Sequence, residues 1–256
     1  DVWGTYSSSA ADAIVPYFLG MGYHAAIGKG TSWSVVAEHT DLFVSFGGLR
    51  LSNTDVTYGG QGTHHTQDWM RKAHRNGTEF LNVGPLRDDL HSGVSPRWQP
   101  IRPGTDVALM LGLIHTLISA DLIDRSFVDT YVHGWDRFAD YVIGQTDGIP
   151  KSAEWASKIT GIEAKEIQKL ANEMSSRRTL INVGLSVQRA DHGEQSYWAA
   201  AALACAIGQV GLPGGGLAFP FGAQGNVGSG QVRKRVPGMP IPPRPKGSQV
   251  VSVSRF

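Results

Sequence analysis

Three short apolar runs constrain the fold of this chain more than any other feature. Asp41–Phe46 (DLFVSF), Glu79–Val83 (EFLNV) and Leu180–Val183 (LINV) each stop at glycine, at Gly47-Gly48, Gly84-Pro85 and Gly184. Short apolar runs closed by turn residues predict buried strands. Between the first two, Thr66–Arg75 is polar but carries Trp69, Met70 and Ala73 at helical spacing. Strand, Gly-rich turn, helix, strand is a βαβ unit, and such units build parallel sheets. In an open parallel sheet, ligands sit at the carboxyl ends of the strands. Glycine there lets backbone N–H groups approach a phosphate. Glycines also simply end strands, and no GxGxxG opens a helix after a strand, which argues against an ordinary NAD site.

The rest of the chain supplies helices. Thr105 can cap a helix from Asp106 through VALMLGLIHTLISA, apolar nearly all round and therefore buried. Further helices are predicted near 124–143, 151–158 and 163–174, and an Ala-rich one spans Glu194–Val210, ended by Leu212-Pro213-Gly214-Gly215-Gly216. From Gly222 the chain is Gly- and Pro-rich without periodicity, and the prolines of Val236–Lys246 forbid regular structure there. The fold class is α/β, a parallel sheet with helices on both faces, dinucleotide-binding-like. The expected organisation is one α/β region over 1–220 and an irregular segment over 221–256. Lys and Arg number 23 against 22 Asp and Glu, so nothing points to nucleic acid. The single cysteine, Cys205, excludes an internal disulfide and any cysteine-built metal cluster, and reads as a buried thiol. No apolar run is long enough to predict insertion into a membrane. The chain opens Asp1-Val2-Trp3 without an initiator Met and reads as an internal piece.

Four ordered segments carry a resemblance. Gly4-Thr5-Tyr6-Ser7-Ser8-Ser9-Ala10-Ala11, with Val15-Pro16 beyond it, comes first. Thr31-Ser32-Trp33 and the strand ending Gly47-Gly48 come second, and PGTDVALMLGLIHTL (Pro103–Leu117) third. The fourth is Gly184-Leu185-Ser186-Val187-Gln188-Arg189 with His192-Gly193-Glu194-Gln195, running on to Ile207-Gly208-Gln209 and LPGGG. Together they resemble the dimethyl sulfoxide reductase family of molybdenum enzymes, in the branch of dimethyl sulfoxide, trimethylamine N-oxide and biotin sulfoxide reductases. Three positions depart from the family pattern: Gly84 stands for an aspartate before Pro85, Leu185 for a tryptophan, and Thr5 for an aspartate.

The resemblance implies a bis-molybdopterin guanine dinucleotide cofactor and a molybdenum-dependent reductase of S-oxides or N-oxides that works by oxygen-atom transfer. By position Ser7 is the metal ligand and a catalytic residue, with Ser8 and Ser9 as register alternatives; an alkoxide oxygen suits an oxidised molybdenum centre. Read from the residues alone, the three serines are a polar loop. Asp106 would accept two N–H bonds from guanine; a helix-opening aspartate stabilised by the macrodipole is the plainer reading, and the two are compatible. Arg189 would polarise a substrate oxygen or bind the pterin. Tyr6, Trp33, Gly47, Gly48, Asn53, Pro85, Gly184, Leu185, Ser186 and Gln188 complete the expected cofactor contacts. His64-His65 is a loop feature, because no third ligand is spaced for zinc. The implied partners are the oxide substrate and an electron donor such as a cytochrome or quinol-linked protein. The implied setting is periplasmic, with the cytoplasm as alternative. A competing expectation is a non-catalytic fragment or relic that keeps only the dinucleotide-binding fold. A serine hydrolase built on Ser7 is disfavoured by the lack of a GxSxG elbow.

Overall fold

A computed structural model describes residues 30–57 and 64–229, with Gly20 and the backbone of 60–61. Tyr6, Ser7 and its alternatives, and the proline-rich end lie outside the described residues. In chain order the elements are α1 (Trp33–His39), β1 (Leu42–Phe46), α2 (Leu51–Thr54), β2 (Val56–Thr57), β3 (Gly60–Gln61), α3 (Thr66–Arg75), β4 (Glu79–Val83) and β5 (Arg97–Gln99). There follow α4 (Asp106–Ser119), α5 (Arg125–Tyr131), α6 (Trp135–Val142), α7 (Ala153–Thr160), α8 (Ala164–Ser176), β6 (Thr179–Val183), α9 (Glu194–Ala206) and β7 (Gly216–Ala218).

The three predicted strands form, and they are neighbours. The main sheet runs β5-β4-β1-β6-β7 with every pairing parallel, so β1 is central. The chain builds outward from β1 to β4 and β5, then crosses back to lay β6 and β7 on β1's other side. The crevice of such a sheet opens at the carboxyl ends where the direction of building reverses, between β1 and β6. Successive side chains on a strand point to opposite faces. Leu42, Val44 and Phe46 therefore join the larger core with α4, α7, α8 and α9, whereas Phe43, Phe80 and Leu180 join a smaller core with α1 and α3. Burial on both faces explains why these strands read as apolar runs rather than as alternation.

The sequence reading missed both sheet edges. β5 and β7 are three residues each, too short for a periodic signal. β5 is fixed by side chains: Arg97 makes two bonds to Glu173 at 3.2 and 2.6 Å and a further ion pair with Glu79. The helix expected over 124–143 is two helices: α5 ends at Tyr131 with Val132 extended, and Gly134, at φ +78°, is the N-cap of α6. The Ala-rich helix stops at Ala206 rather than Val210. Thr105 does stand at the N-cap of α4, but its hydroxyl donates back to Arg102 O at 2.7 Å and caps nothing. Beyond residue 220 the irregular segment still packs on the core through 229, with Phe221 and Val227 buried in the smaller cluster.

Candidate functional site

Each central strand is continued by one more ladder bond into its glycine. Gly47 N–H donates to Val83 O (3.1 Å), Gly84 N–H to Gln99 O (3.3 Å) and Gly184 N–H to Phe46 O (2.9 Å). This corrects the physical reason expected for these glycines: their amides are turned to neighbouring strands, not outward to a phosphate. What glycine provides is clearance. Gly47 has φ +79°, and a Cβ on it would overlap Ser186 Oγ and come within 2.9 Å of Val187 Cγ1. A Cβ on Gly184 would lie 3.1 Å from Gly47 O. Ser186 Oγ donates to Gly47 O at 2.9 Å, so Gly47, Gly184 and Ser186 form one contact across the β1–β6 crevice.

Gly48, also at φ +79°, lets the loop after β1 lie against Asp89 in the loop after β4, where its Cβ would meet Asp89 Cβ at 2.7 Å. Leu49 N–H donates to Asp89 O (2.7 Å), and Arg50 Nε pairs with Asp89 Oδ1 at 3.1 Å. Asn53 is exposed on the four-residue helix α2, and Pro85 is exposed where the loop leaves β4. Leu185 is half-buried against the larger core and Gln188 is half-buried. Arg189 ends the short 3-10 turn Leu185–Gln188 at the surface and forms no ion pair with any described residue. His64 and His65 precede α3, where His64 Nδ1 lies 3.7 Å from Asp55; no group of metal ligands exists among the described residues.

Two predicted contacts are more deeply placed. Trp33 is a core ring, 1% exposed, stacked on Phe43 at 5.9 Å and edge-on to Phe221 at 4.6 Å. Its indole N–H is buried without an acceptor among the described residues. Asp106 opens α4 where the chain arrives from the carboxyl end of β5, and it is 8% exposed. Burial pushes its carboxyl above the ordinary range, against a smaller opposing pull from its own backbone N–H. No cation pairs with it among the described residues.

The sequence reading missed a polar rung across the sheet. In register, Trp98, Asn82, Ser45, Asn182 and Ala218 lie side by side on β5, β4, β1, β6 and β7. Ser45, Asn82 and Asn182 are wholly buried. A signal for them was present: Ser45-Phe46-Gly47, Asn82-Val83-Gly84 and Asn182-Val183-Gly184 repeat one pattern, a small polar residue two before the glycine.

The family model "Molybdopterin oxidoreductase" matches residues 6–234. Biotin sulfoxide reductase of Cereibacter sphaeroides is 40% identical over 88% of this chain, and dimethyl sulfoxide/trimethylamine N-oxide reductase of the same organism is 38% identical over 85%. Trimethylamine-N-oxide reductase of Haemophilus influenzae is 34% identical over 85%. The chain spans only 30%, 26% and 26% of those three proteins. Among solved structures, acetylene hydratase from Pelobacter acetylenicus matches 80% of this chain and 26% of its own, at TM-score 0.58 and 20% identity, a likeness of fold. A parallel sheet with a glycine-lined crevice at its carboxyl edge, a family model over nearly the whole length and relatives at this identity lead to one conclusion: the chain belongs to the molybdopterin oxidoreductase family.

Proposed function

We propose that this chain is the dinucleotide-holding part of a molybdenum-dependent enzyme that reduces S-oxides or N-oxides with a bis-molybdopterin guanine dinucleotide cofactor. The observation that carries the reading is its identity of 34–40%, over most of its length, to proteins named as reductases of such oxides. The residues present fit the cofactor. Asp106 is a buried carboxylate with no cation partner among the described residues, and its two oxygens suit a pair of neutral N–H donors such as guanine presents. Arg189 carries an exposed charge that no described carboxylate neutralises, suited to an anionic or polarised oxygen of pterin or substrate. Gly47, Gly48 and Gly184 let the loops after β1, β4 and β6 close on one another at the crevice.

The bound metal centre supplies the two-electron oxygen-atom transfer, and the chain's own residues supply binding and placement. Ser7 is the proposed metal ligand. Electron delivery by a cytochrome or quinol-linked protein and a periplasmic setting belong to the same proposal. The test is metal and guanine-nucleotide analysis of the full-length protein beside Ser7→Ala. Molybdenum and guanine nucleotide in the wild type, with sulfoxide reduction lost in the variant, are the expected results. A full-length protein free of both would leave only the dinucleotide-binding fold, and a fully active Ser7→Ala would move the ligand elsewhere.

A further inference from the structure

We infer that the buried polar residues Asn82, Ser45 and Asn182, with the exposed edge residue Trp98 beside them, are a positioning device that sets the loops of the carboxyl edge as one unit. The inference rests on the reading that this edge holds the guanine dinucleotide. Polar side chains inside a doubly covered sheet are costly unless bonded, and apart from Asn82 Oδ1, which is buried without a partner among the described residues, each side-chain polar atom of the rung is bonded to a loop carbonyl, a loop amide or another member of the rung. Ser45 Oγ donates to Gly48 O at 2.8 Å and holds the loop after β1. Asn82 Nδ2 donates to Leu86 O at 2.9 Å and Arg87 O at 3.3 Å, and Trp98 Nε1 donates to Gly84 O at 2.9 Å; together they hold the loop after β4. Asn182 grips the segment after β7 with both ends of its amide, accepting from Phe221 N at 3.0 Å and donating to Phe221 O at 3.2 Å. Its Nδ2 also donates to Ser45 Oγ at 3.0 Å. Phe221, Asn182, Ser45 and Gly48 are thus one hydrogen-bonded chain joining two loops that are far apart in sequence.

This pattern does more than stabilise a sheet. Apolar residues at the same positions would fill the space and leave the strands intact, but the bonds that tie the loops to the strands beneath them would be lost, leaving loop-to-loop contacts such as Leu49 N to Asp89 O and Ser186 Oγ to Gly47 O. Asn82, Ser45 and Asn182 are wholly buried and bond loop carbonyls and amides; they act through those groups and so are positioning residues.

The test compares Asn82→Ala, Asn182→Leu and Ser45→Ala in the full-length holoprotein with Lys151→Met, which cuts a buried pin remote from this edge. Two readings are taken: backbone hydrogen exchange over 47–50, 84–91 and 219–228, and the rate at which guanine-nucleotide cofactor is lost in mild denaturant. The rung variants should exchange faster in those three segments and lose cofactor about tenfold faster (about 1.4 kcal/mol). Lys151→Met should lower the melting temperature without changing either reading. Faster exchange in the partner loop of a single variant, for example 219–228 in Ser45→Ala, is expected only if the rung couples the loops. Should Asn182→Leu fail to fold, Ser45→Ala carries the comparison. Rung variants that melt earlier yet keep wild-type exchange and cofactor retention would overturn the inference while leaving the function reading intact. A wild-type protein without guanine nucleotide would overturn both.

Discussion

Gly47→Ala probes the crevice most directly. Gly47 sits at φ +79°, where an L side chain costs about 1–2 kcal/mol. The new methyl would overlap Ser186 Oγ and press within 2.9 Å of Val187 Cγ1, so the Leu185–Gln188 turn must move, an overpacking cost of about 1–3 kcal/mol. Moving Ser186 also breaks its 2.9 Å bond to Gly47 O, a net loss of about 1 kcal/mol. Together these predict a destabilisation of about 3–6 kcal/mol, well above an ordinary substitution. Ser186→Ala alone should cost about 1 kcal/mol or less, since it removes one bond at an exposed residue. Because that bond is counted in both single variants, the double variant should be less destabilised than the two added, by about 1 kcal/mol or more. Urea unfolding followed by tryptophan fluorescence and circular dichroism measures all four species. Gly47→Ala within about 0.5 kcal/mol of wild type, or strict additivity in the double variant, would refute the close-approach argument.

Asp106→Asn should stabilise the cofactor-free protein at neutral pH while weakening guanine-nucleotide retention. Burial raises this carboxyl, so the folded state holds the proton more tightly than the unfolded one. The group therefore favours folding in acid and opposes it as pH climbs from the unfolded aspartate range through the raised folded value. The gain, about 0.5–2 kcal/mol at pH 7, should vanish below about pH 4 in urea titrations. Lys151→Met should cost about 1–3 kcal/mol, because the buried ammonium bonds Asp147 at 2.9 and 2.7 Å and stands 4.2 Å over the Tyr141 ring; thermal unfolding reads it. Cys205, half-buried rather than fully buried as expected, should label more slowly with a thiol reagent in the native protein than in denaturant, since partial burial pushes its thiol up.

The three inner strands were legible because burial on both faces writes an apolar run closed by glycine. Helix α4 was legible because ten of its residues are buried, leaving almost no polar face. The edges were not legible: Arg97-Trp98-Gln99 is a strand because of what Glu173, Glu79 and Gly84 do to it, all distant in sequence. The site was legible in part. The resemblance gives Gly47, Gly184 and Ser186 as expected cofactor contacts in separate segments; that they touch one another, and that glycine is needed there for steric clearance, is not displayed by a sequence. Ser45, Asn82 and Asn182 went unread because single polar residues within apolar runs look like noise until register aligns them. Trp33 was legible as a residue of the region, but not as a core ring packed on Phe221 nearly two hundred positions away.

The central place of β1 also bears on synthesis. β4 and β5 can pair with it early, yet its other edge waits for β6, whose Asn182 lies 137 positions after Ser45. At about 5–20 residues per second, a nascent chain spends roughly 7–27 s with LFVSF open along one side. An apolar strand with an unpaired edge is a template for pairing with other chains. Overexpression without chaperones should therefore yield inclusion bodies, and slowing initiation, which spaces nascent chains apart, should recover more soluble protein than any change to the crevice.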